Sequence, residues 1–215
     1  MSNAIHQRKS DFPNLVRTNA EGKDVLSFQL FKYARKHHRK STIYLPNFST
    51  AKILGNASGG GPNLATLIST YASERKKFRA EPGAHPVIVV VDNDDGSKQV
   101  FSVLNNLLKS KPSRDDPFVH AFGNLYVVPV PRLGREQASI EDLFSAEDKA
   151  RTIDNRSFDF SKDADQLLTN GKASLAFDYV AKHPTEIDWS GFSPLLQALT
   201  DAISHFSRRP SAGPT

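Results

Sequence analysis

The stretch HPVIVVVDNDDG, residues 85–96, constrains the fold of this sequence more than any other. Its five consecutive β-branched residues, 87–91, predict a strand that is buried on both faces of a parallel sheet. Four acidic or amide residues, 92–95, follow at once. In open α/β sheets, ligands bind outside the carboxyl ends of the strands. The stretch therefore predicts an α/β fold with a functional site at the end of its most hydrophobic strand.

The flanking sequence predicts strands that alternate with helices. A glycine-rich turn at 58–61 precedes a predicted helix that begins near Pro62, since proline fits the first turn of a helix. Apolar residues at helical spacing predict another helix after the acidic run, and further strands are predicted at Val25–Tyr33, Ser41–Phe48 and Leu125–Val130. This order predicts a doubly wound, mostly parallel sheet flanked by helices.

The pattern changes along the chain and predicts four parts. Residues 1–11 are expected to be a flexible N-terminus, and residues 12–150 the α/β domain. Residues 151–207 contain two amphipathic stretches, GKASLAFDYVAKH and FSPLLQALTDAISHF, which predict a C-terminal helical appendage. Residues 208–215 are expected to be a disordered tail.

Composition excludes several classes of chemistry. The 215 residues include no cysteine, so disulfides, thiolate metal sites and cysteine nucleophiles are excluded, and a metal would need oxygen or imidazole ligands. No Gly-x-Ser-x-Gly, Walker-type or His-Glu-x-x-His motif occurs. No apolar run approaches the ~20 residues of a membrane span, and the N-terminus has no hydrophobic signal core, so we expect a cytoplasmic protein without membrane contact.

The charges are segregated along the chain, whose formal net charge is +5. Basic residues crowd into KYARKHHRK and ERKKFR, and acidic residues into DNDD and IEDLFSAED. This separation is typical of an enzyme that acts on a polyanion through divalent cations. The residues predicted to bind phosphates are Lys32, Arg35, Lys36, Arg39, Lys40 and Lys98. The alternative is that these runs are solvated faces.

The spacing of the aspartates suggests a cation site. Asp92 and Asp94 lie two residues apart in an extended segment, so their side chains project to the same side and can share a cation. Asn93 or Asp95 would face elsewhere, to hold a second ion or to cap the next helix. The alternative is an Asx-rich turn in which Asp95 caps that helix, since Asp-Gly pairs commonly form turns.

These motifs also resemble a known family. VVVDNDDG is similar to the Asp-x-Asp-x-Gly motif of Toprim domains. The ordered set SGGGPNLATLISTY, HPVIVVVDNDDG, LYVVPVP, SIEDLF, GKASLAFDYVAKH and IDWSGFSPLLQAL resembles the C-terminal region of retron reverse transcriptases that carry a fused Toprim domain. The resemblance extends from about residue 12 to residue 206 and implies a Toprim-like α/β fold.

The resemblance implies roles for three acidic residues. Asp92 and Asp94 match the paired aspartates that bind Mg²⁺ in Toprim enzymes, with Mn²⁺ as a possible substitute. Glu141 and Asp142 lie where related nucleases of the OLD type place a further acidic ligand, and Glu141 is the expected one of the two; the alternative is that both belong to a capped first helical turn. Asp92, Asp94 and Glu141 are thus the expected catalytic and metal-binding set.

One element of the family is expected to be absent. Toprim domains open with a hydrophobic strand that ends in Glu-Gly, but here FPNLVRTNA precedes Glu21-Gly22, and its polar residues and proline are untypical of a buried strand. We therefore expect Glu21 to lie in a loop. The resemblance then implies that the chain is the C-terminal part of a longer polypeptide, or a gene remnant of one.

The implied function is Mg²⁺-dependent nuclease chemistry in bacterial defence against phage. The implied partners are DNA or RNA, the reverse transcriptase domain and its RNA–DNA hybrid. The alternative is a catalytically incomplete Toprim module that only binds nucleic acid or a protein. The missing glutamate favours the second function, and the intact Asp92 and Asp94 favour the first.

Overall fold

A computed structural model of the chain describes residues 1–30, 33–38, 41–46, 60–77, 83–161, 165 and 168–209. The chain divides into two compact units. The first unit comprises Met1–Phe28 and Ser139–Thr200, and the second comprises Gln29–Ala138 and the residues from Asp201 onward.

The second unit is organised around a three-stranded sheet of β5 (Val87–Val91), β6 (Val119–Phe122) and β7 (Leu125–Pro129). The strand order is β5-β7-β6, so β7 lies in the centre and is buried along its whole length. β5 pairs with β7 in parallel, from Val87 opposite Leu125 to Val91 opposite Pro129. β6 pairs with β7 antiparallel. The sheet is therefore mixed.

Two helices cover one face of this sheet. They are α2 (Gly61–Lys77) and α3 (Lys98–Leu108), and their apolar faces meet alternate residues of all three strands. The fully buried members of this core include Ile68, Val100, Leu104, Leu125 and Val127. The helical spacing of the apolar residues explains this burial, because it aligns them on one side of each helix.

The opposite face of β7 contacts the end of the C-terminal helix α6 (Ser193–Ser207). Tyr126 is fully buried there, and its hydroxyl lies 2.9 Å from Nδ1 of His205. The His120 ring packs on Tyr126 with centroids 4.9 Å apart. The second unit also contains the antiparallel pair β3 (Tyr33–His38) and β4 (Ser41–Pro46).

The first unit contains short elements. They are α1 (Ser2–Gln7), the antiparallel strands β1 (Val16–Thr18) and β2 (Asp24–Leu26), a 3₁₀ helix at Ile140–Leu143, α4 (Ala146–Ala150), the antiparallel strands β8 (Thr152–Ile153) and β9 (Arg156–Ser157), and α5 (Lys172–Ser174), which continues as a π-helical turn at Leu175–Val180. The Phe144 ring contacts those of Trp189 and Phe192, with centroid distances of 5.8 and 4.9 Å. Trp189 and Phe192 are therefore core residues of the first unit.

The mixed α/β class, the helices α2 and α3 and the C-terminal helix are confirmed. The described residues do not form the predicted mostly parallel sheet. Among their strands, only β5 and β7 pair in parallel. The physical reason is that Gly123 and Asn124 connect β6 to β7 directly, and so short a connection permits only antiparallel pairing.

Other segments also differ from expectation. The strand predicted at Val25–Tyr33 is replaced by β2, which ends at Leu26, and by β3, which begins at Tyr33. Residues 2–7, within the expected flexible N-terminus, form α1, whose Ala4 and Ile5 are fully buried. β8 and β9 form a short hairpin within the predicted helical appendage. None of the described helices is both long and apolar enough to cross a membrane.

Candidate functional site

Asn93 fixes the segment that leaves β5. Its backbone N–H donates to the carbonyl of Ala138 at 2.7 Å, and its carbonyl accepts from the Ala138 N–H at 3.1 Å. Its side-chain Nδ2 donates to the carbonyl of Arg114 at 2.7 Å, and the residue is only 1% exposed. The Asn93 side chain is therefore built into the protein, and it holds the backbone extended just past the strand.

The two flanking aspartates lie on the other side of this extended segment. Asp92 and Asp94 are half-buried, whereas Asn93 between them is buried. Because side chains alternate along extended backbone, this pattern places the two carboxylates on the same side. Asn93 faces inward as one of the two residues expected to face elsewhere, and the sharing of a cation by Asp92 and Asp94 stays a prediction.

A tight turn follows the aspartates. The Asp94 carbonyl accepts hydrogen bonds from the Ser97 hydroxyl at 2.8 Å and the Ser97 N–H at 3.3 Å. Asp95 begins a 3₁₀ helix, Asp95–Ser97, and pairs with Lys98 at 3.0 Å on the exposed surface. The Asp94 carboxylate lies close over Gly96: a Cβ atom at that position would be 3.1 Å from Asp94 Oδ1. Gly96 therefore gives the carboxylate its room.

The start of α2 is in direct contact with this turn. A Cβ atom on Gly61 would lie 1.7 Å from the carbonyl oxygen of Gly96, closer than any real contact allows. The absence of a side chain at Gly61 therefore permits the two backbones to touch. The glycine-rich turn, whose described part begins at Gly60, thus supports the aspartate segment, and the predicted start of the helix near Pro62 is confirmed.

Arg114 holds the segment from a neighbouring loop. Its guanidinium donates to the Asp94 carbonyl at 3.1 Å and lies over the Phe101 ring, with 4.7 Å between Cζ and the ring centroid. Its own carbonyl accepts from Asn93. Arg114 therefore contacts both residues that follow Asp92, which fixes the position of the acidic pair.

The adjacent residue joins this loop to the one after β7. Asp115 accepts two hydrogen bonds from Arg132, of which the Nε–Oδ1 bond is 2.8 Å long. These hydrogen bonds hold the pKa of the Asp115 carboxyl below its usual value. Arg132 also donates to the Glu136 carbonyl at 3.2 Å. The loops that surround the carboxyl end of β5 are thus joined to one another.

Glu141, the third predicted acid, lies in the first unit. It is largely buried, and its Oε2 lies 2.8 Å from Nζ of Lys172. Its neighbour Asp142 accepts from the Ser139 N–H at 2.8 Å and from the Ser139 hydroxyl at 3.0 Å. Ser139 and Asp142 therefore form a capping box at the start of the 3₁₀ helix, and the described contact of Glu141 is an ion pair.

Glu21 lies in the turn between β1 and β2, as predicted. Its backbone N–H and that of Lys23 donate to the Asn19 side chain at 3.0 and 2.9 Å. Its carboxylate pairs with Lys23 at 3.0 Å, and its side chain is 70% exposed. Glu21 is therefore a surface residue of the first unit.

The predicted phosphate-binding residues are only partly within the described chain. Lys32, Arg39 and Lys40 lie outside the described residues. Arg35 and Lys36 belong to β3, where they pair with Tyr44 and Ile43 of β4. Lys98 is the first residue of α3, beside the aspartate turn. Its role in phosphate binding stays a prediction.

The donor atoms at this strand end suit a hard divalent cation. Mg²⁺ binds oxygen ligands and commonly uses only one or two carboxylates, with water and substrate completing its octahedral shell. Asp92 and Asp94 provide two carboxylates. No cluster of three or more His, Cys, Asp or Glu side chains suited to a metal ion occurs among the residues that the structure describes. A Mg²⁺ ion at this strand end would therefore rest on these two carboxylates, with water or substrate as its other ligands.

Arg114 and Arg132 were not singled out by the sequence. Their contacts join residues 17 to 21 positions apart, and no local periodicity reports such pairs.

No protein-family model matches this chain. No solved structure gives a significant match to it.

Proposed function

We propose that this chain is a Toprim domain of the retron reverse transcriptase type that carries out Mg²⁺-dependent cleavage of phosphodiester bonds in nucleic acid. The observation that supports the proposal most directly is the arrangement of Asp92 and Asp94 on either side of the buried Asn93. Carboxylates gathered at a strand end repel one another unless a cation or proton lies between them. The hydrogen bonds that fix the backbone at Asn93 therefore suit a metal-binding role for the two aspartates.

In the proposed reaction, Asp92 and Asp94 would hold Mg²⁺, or Mn²⁺ in its place. An ion held there would polarise the scissile phosphate and stabilise charge on the attacking and departing oxygens. Arg114 keeps the Asp94 backbone in position through its 3.1 Å hydrogen bond. This positioning matters because small displacements of reacting groups reduce rates strongly.

Lys98 is the described basic residue best placed to contact a flanking phosphate. Its side chain is 66% exposed, and its partner Asp95 is 65% exposed. An exposed ion pair contributes little free energy, so Lys98 can exchange Asp95 for a phosphate at low cost. Lys32, Arg35, Lys36, Arg39 and Lys40 are proposed as further phosphate contacts on the basis of sequence alone.

The second candidate function is a catalytically incomplete module that binds nucleic acid or a protein partner without cleaving. The position of Glu21 favours it, because this exposed turn residue pairs with Lys23. Glu141 pairs with Lys172 in the same unit as Glu21. The reverse transcriptase domain, its RNA–DNA hybrid and a role in anti-phage defence are proposed from the resemblance, and a cytoplasmic location is proposed from the sequence.

An assay of strand cleavage separates the two functions. Supercoiled plasmid and labelled single strands of DNA and RNA are incubated with the chain and Mg²⁺, alongside Asp94→Asn and the control Asp154→Asn. Asp154 lies in the turn between β8 and β9, in the first unit. Cleavage that is lost only in Asp94→Asn supports the nuclease, and salt-sensitive binding without cleavage supports the second function. Cleavage that persists in Asp94→Asn contradicts the proposed site.

A further inference from the structure

The loop at residues 131–137 is held at its base beside the acidic pair. At one end, the Val130 N–H donates to the Val91 carbonyl at 2.8 Å. At the other end, Ala138 forms two backbone hydrogen bonds with Asn93. Arg132 adds its bonds to Asp115 and to the Glu136 carbonyl. The loop is thus fixed at the strand edge where Asp92 and Asp94 lie.

The tip of this loop has a demanding backbone conformation. The Arg135 N–H donates to the Arg132 carbonyl at 2.9 Å and closes a turn. The two central residues, Leu133 and Gly134, have positive φ angles of 49° and 84°. Positive φ at both central positions is the signature of a type I′ turn, which strongly favours Asn-Gly. Leucine at the first position is therefore strained.

The side chain of Leu133 is not part of the buried core. Leu133 is 49% exposed, and Leu168 is the other exposed large hydrophobic residue among those described. An asparagine at position 133 would suit the backbone better, and a polar side chain would suit the exposure. Strain that persists at an exposed tip, on a loop whose base is held beside a candidate site, points to a use for the side chain in binding.

We propose that Leu133 packs against the bases of a nucleic-acid strand that binds along this edge. The inference rests on the proposed function, because it takes the bound polymer from there. Apolar side chains insert between bases, and unpaired bases offer flat apolar faces. Arg135 follows the tip and places beside it a positive charge of the kind that a phosphate backbone attracts, whereas the guanidinium of Arg132 is paired with Asp115. Because the base of the loop is fixed, binding orders few new groups.

The test compares three variants with the wild type. Leu133→Asn removes the apolar tip and suits the turn, Leu133→Met keeps a long apolar side chain, and Leu168→Asn removes the other exposed leucine as a control. Binding to labelled single- and double-stranded oligonucleotides is measured by fluorescence anisotropy in Ca²⁺, over a range of salt concentrations. Melting temperature is measured for every variant.

Leu133→Asn is expected to weaken binding roughly tenfold, as the loss of a buried leucine contact implies. Its salt dependence should keep the wild-type slope, since leucine neutralises no phosphate. Its melting temperature should equal or exceed that of the wild type. Leu133→Met and Leu168→Asn should bind like the wild type.

Equal affinity of Leu133→Asn and the wild type would overturn the inference while leaving the proposed function intact, and a protein surface would become the expected occupant of the tip. A loss of affinity equal to that of Leu168→Asn would also overturn it. If the wild type binds no nucleic acid even at low salt, the proposed function itself fails, and the proposed occupant of the tip fails with it.

Discussion

The contact between Gly61 and Gly96 allows a specific prediction for Gly61→Ala. The added Cβ would lie 1.7 Å from the Gly96 carbonyl oxygen. A carbon and an oxygen that are not bonded need about 3.3 Å, so either the start of α2 or the aspartate turn must move by roughly 1.6 Å. Overpacking of this kind costs about 1–3 kcal/mol, and the preference of helices for alanine offsets little of it at the first helical residue. We expect a net loss of about 2 kcal/mol in the free energy of unfolding.

For a chain of this length, such a loss lowers the melting temperature by roughly 4–8 °C. The assay is thermal unfolding followed by circular dichroism, with Gly171→Ala as the matched control. Gly171 has a φ of −87°, and a Cβ there would meet nothing within 4 Å. The variant Gly61→Ala should also bind Mg²⁺ more weakly, because Gly96 lies directly beneath the Asp94 carboxylate. A melting temperature for Gly61→Ala equal to those of the wild type and of Gly171→Ala would refute the reasoning.

Three further predictions concern other contacts. The variant Gly191→Ala places a Cβ atom 2.2 Å from the Leu143 carbonyl oxygen. It should lower the free energy of unfolding, measured by urea titration, by about 2 kcal/mol. An unchanged urea midpoint would contradict the packing described for the first unit. Arg114→Ala should weaken Mg²⁺ binding several-fold while Arg114→Lys recovers part of it, as judged by calorimetry, and equal affinities would remove the positioning role of the guanidinium. Burial lowers the pKa of His120 below 6.5, so the neutral imidazole stabilises the fold above about pH 6.5, and that stabilisation is lost as the pH falls. The variant His120→Gln should therefore show a smaller decline of the urea midpoint between about pH 7.5 and 5.5 than the wild type. Identical declines in the two proteins would contradict this.

The elements with strong local patterns were predictable. The periodicity of apolar residues indicated α2 and α3, and the runs of β-branched residues indicated β5 and β7, because each pattern reflects burial of a single face or strand. The sequence also placed Asp92 and Asp94 at the end of β5, and the structure supports their alternation. Whether they bind metal is still a prediction.

Features that depend on distant partners were not predictable. The inward position of Asn93 depends on Ala138, which is 45 residues away, and Arg114 acts through a loop with no regular pattern. The helix α1 is short, and the burial of its Ile5 comes from tertiary packing rather than from helical propensity. The contact of Gly61 with Gly96 likewise requires the fold, since a glycine in the sequence does not indicate which backbone approaches it.

The central claim is that Asp92 and Asp94 together bind a divalent cation. The most direct measurement is a calorimetric titration of Mg²⁺, and separately of Mn²⁺, into the wild type, the double variant Asp92→Asn/Asp94→Asn and the control Asp154→Asn. We predict saturable heats for the wild type and for Asp154→Asn, and none above dilution for the double variant. Equal heats from the wild type and the double variant would contradict the claim and remove the proposed metal site.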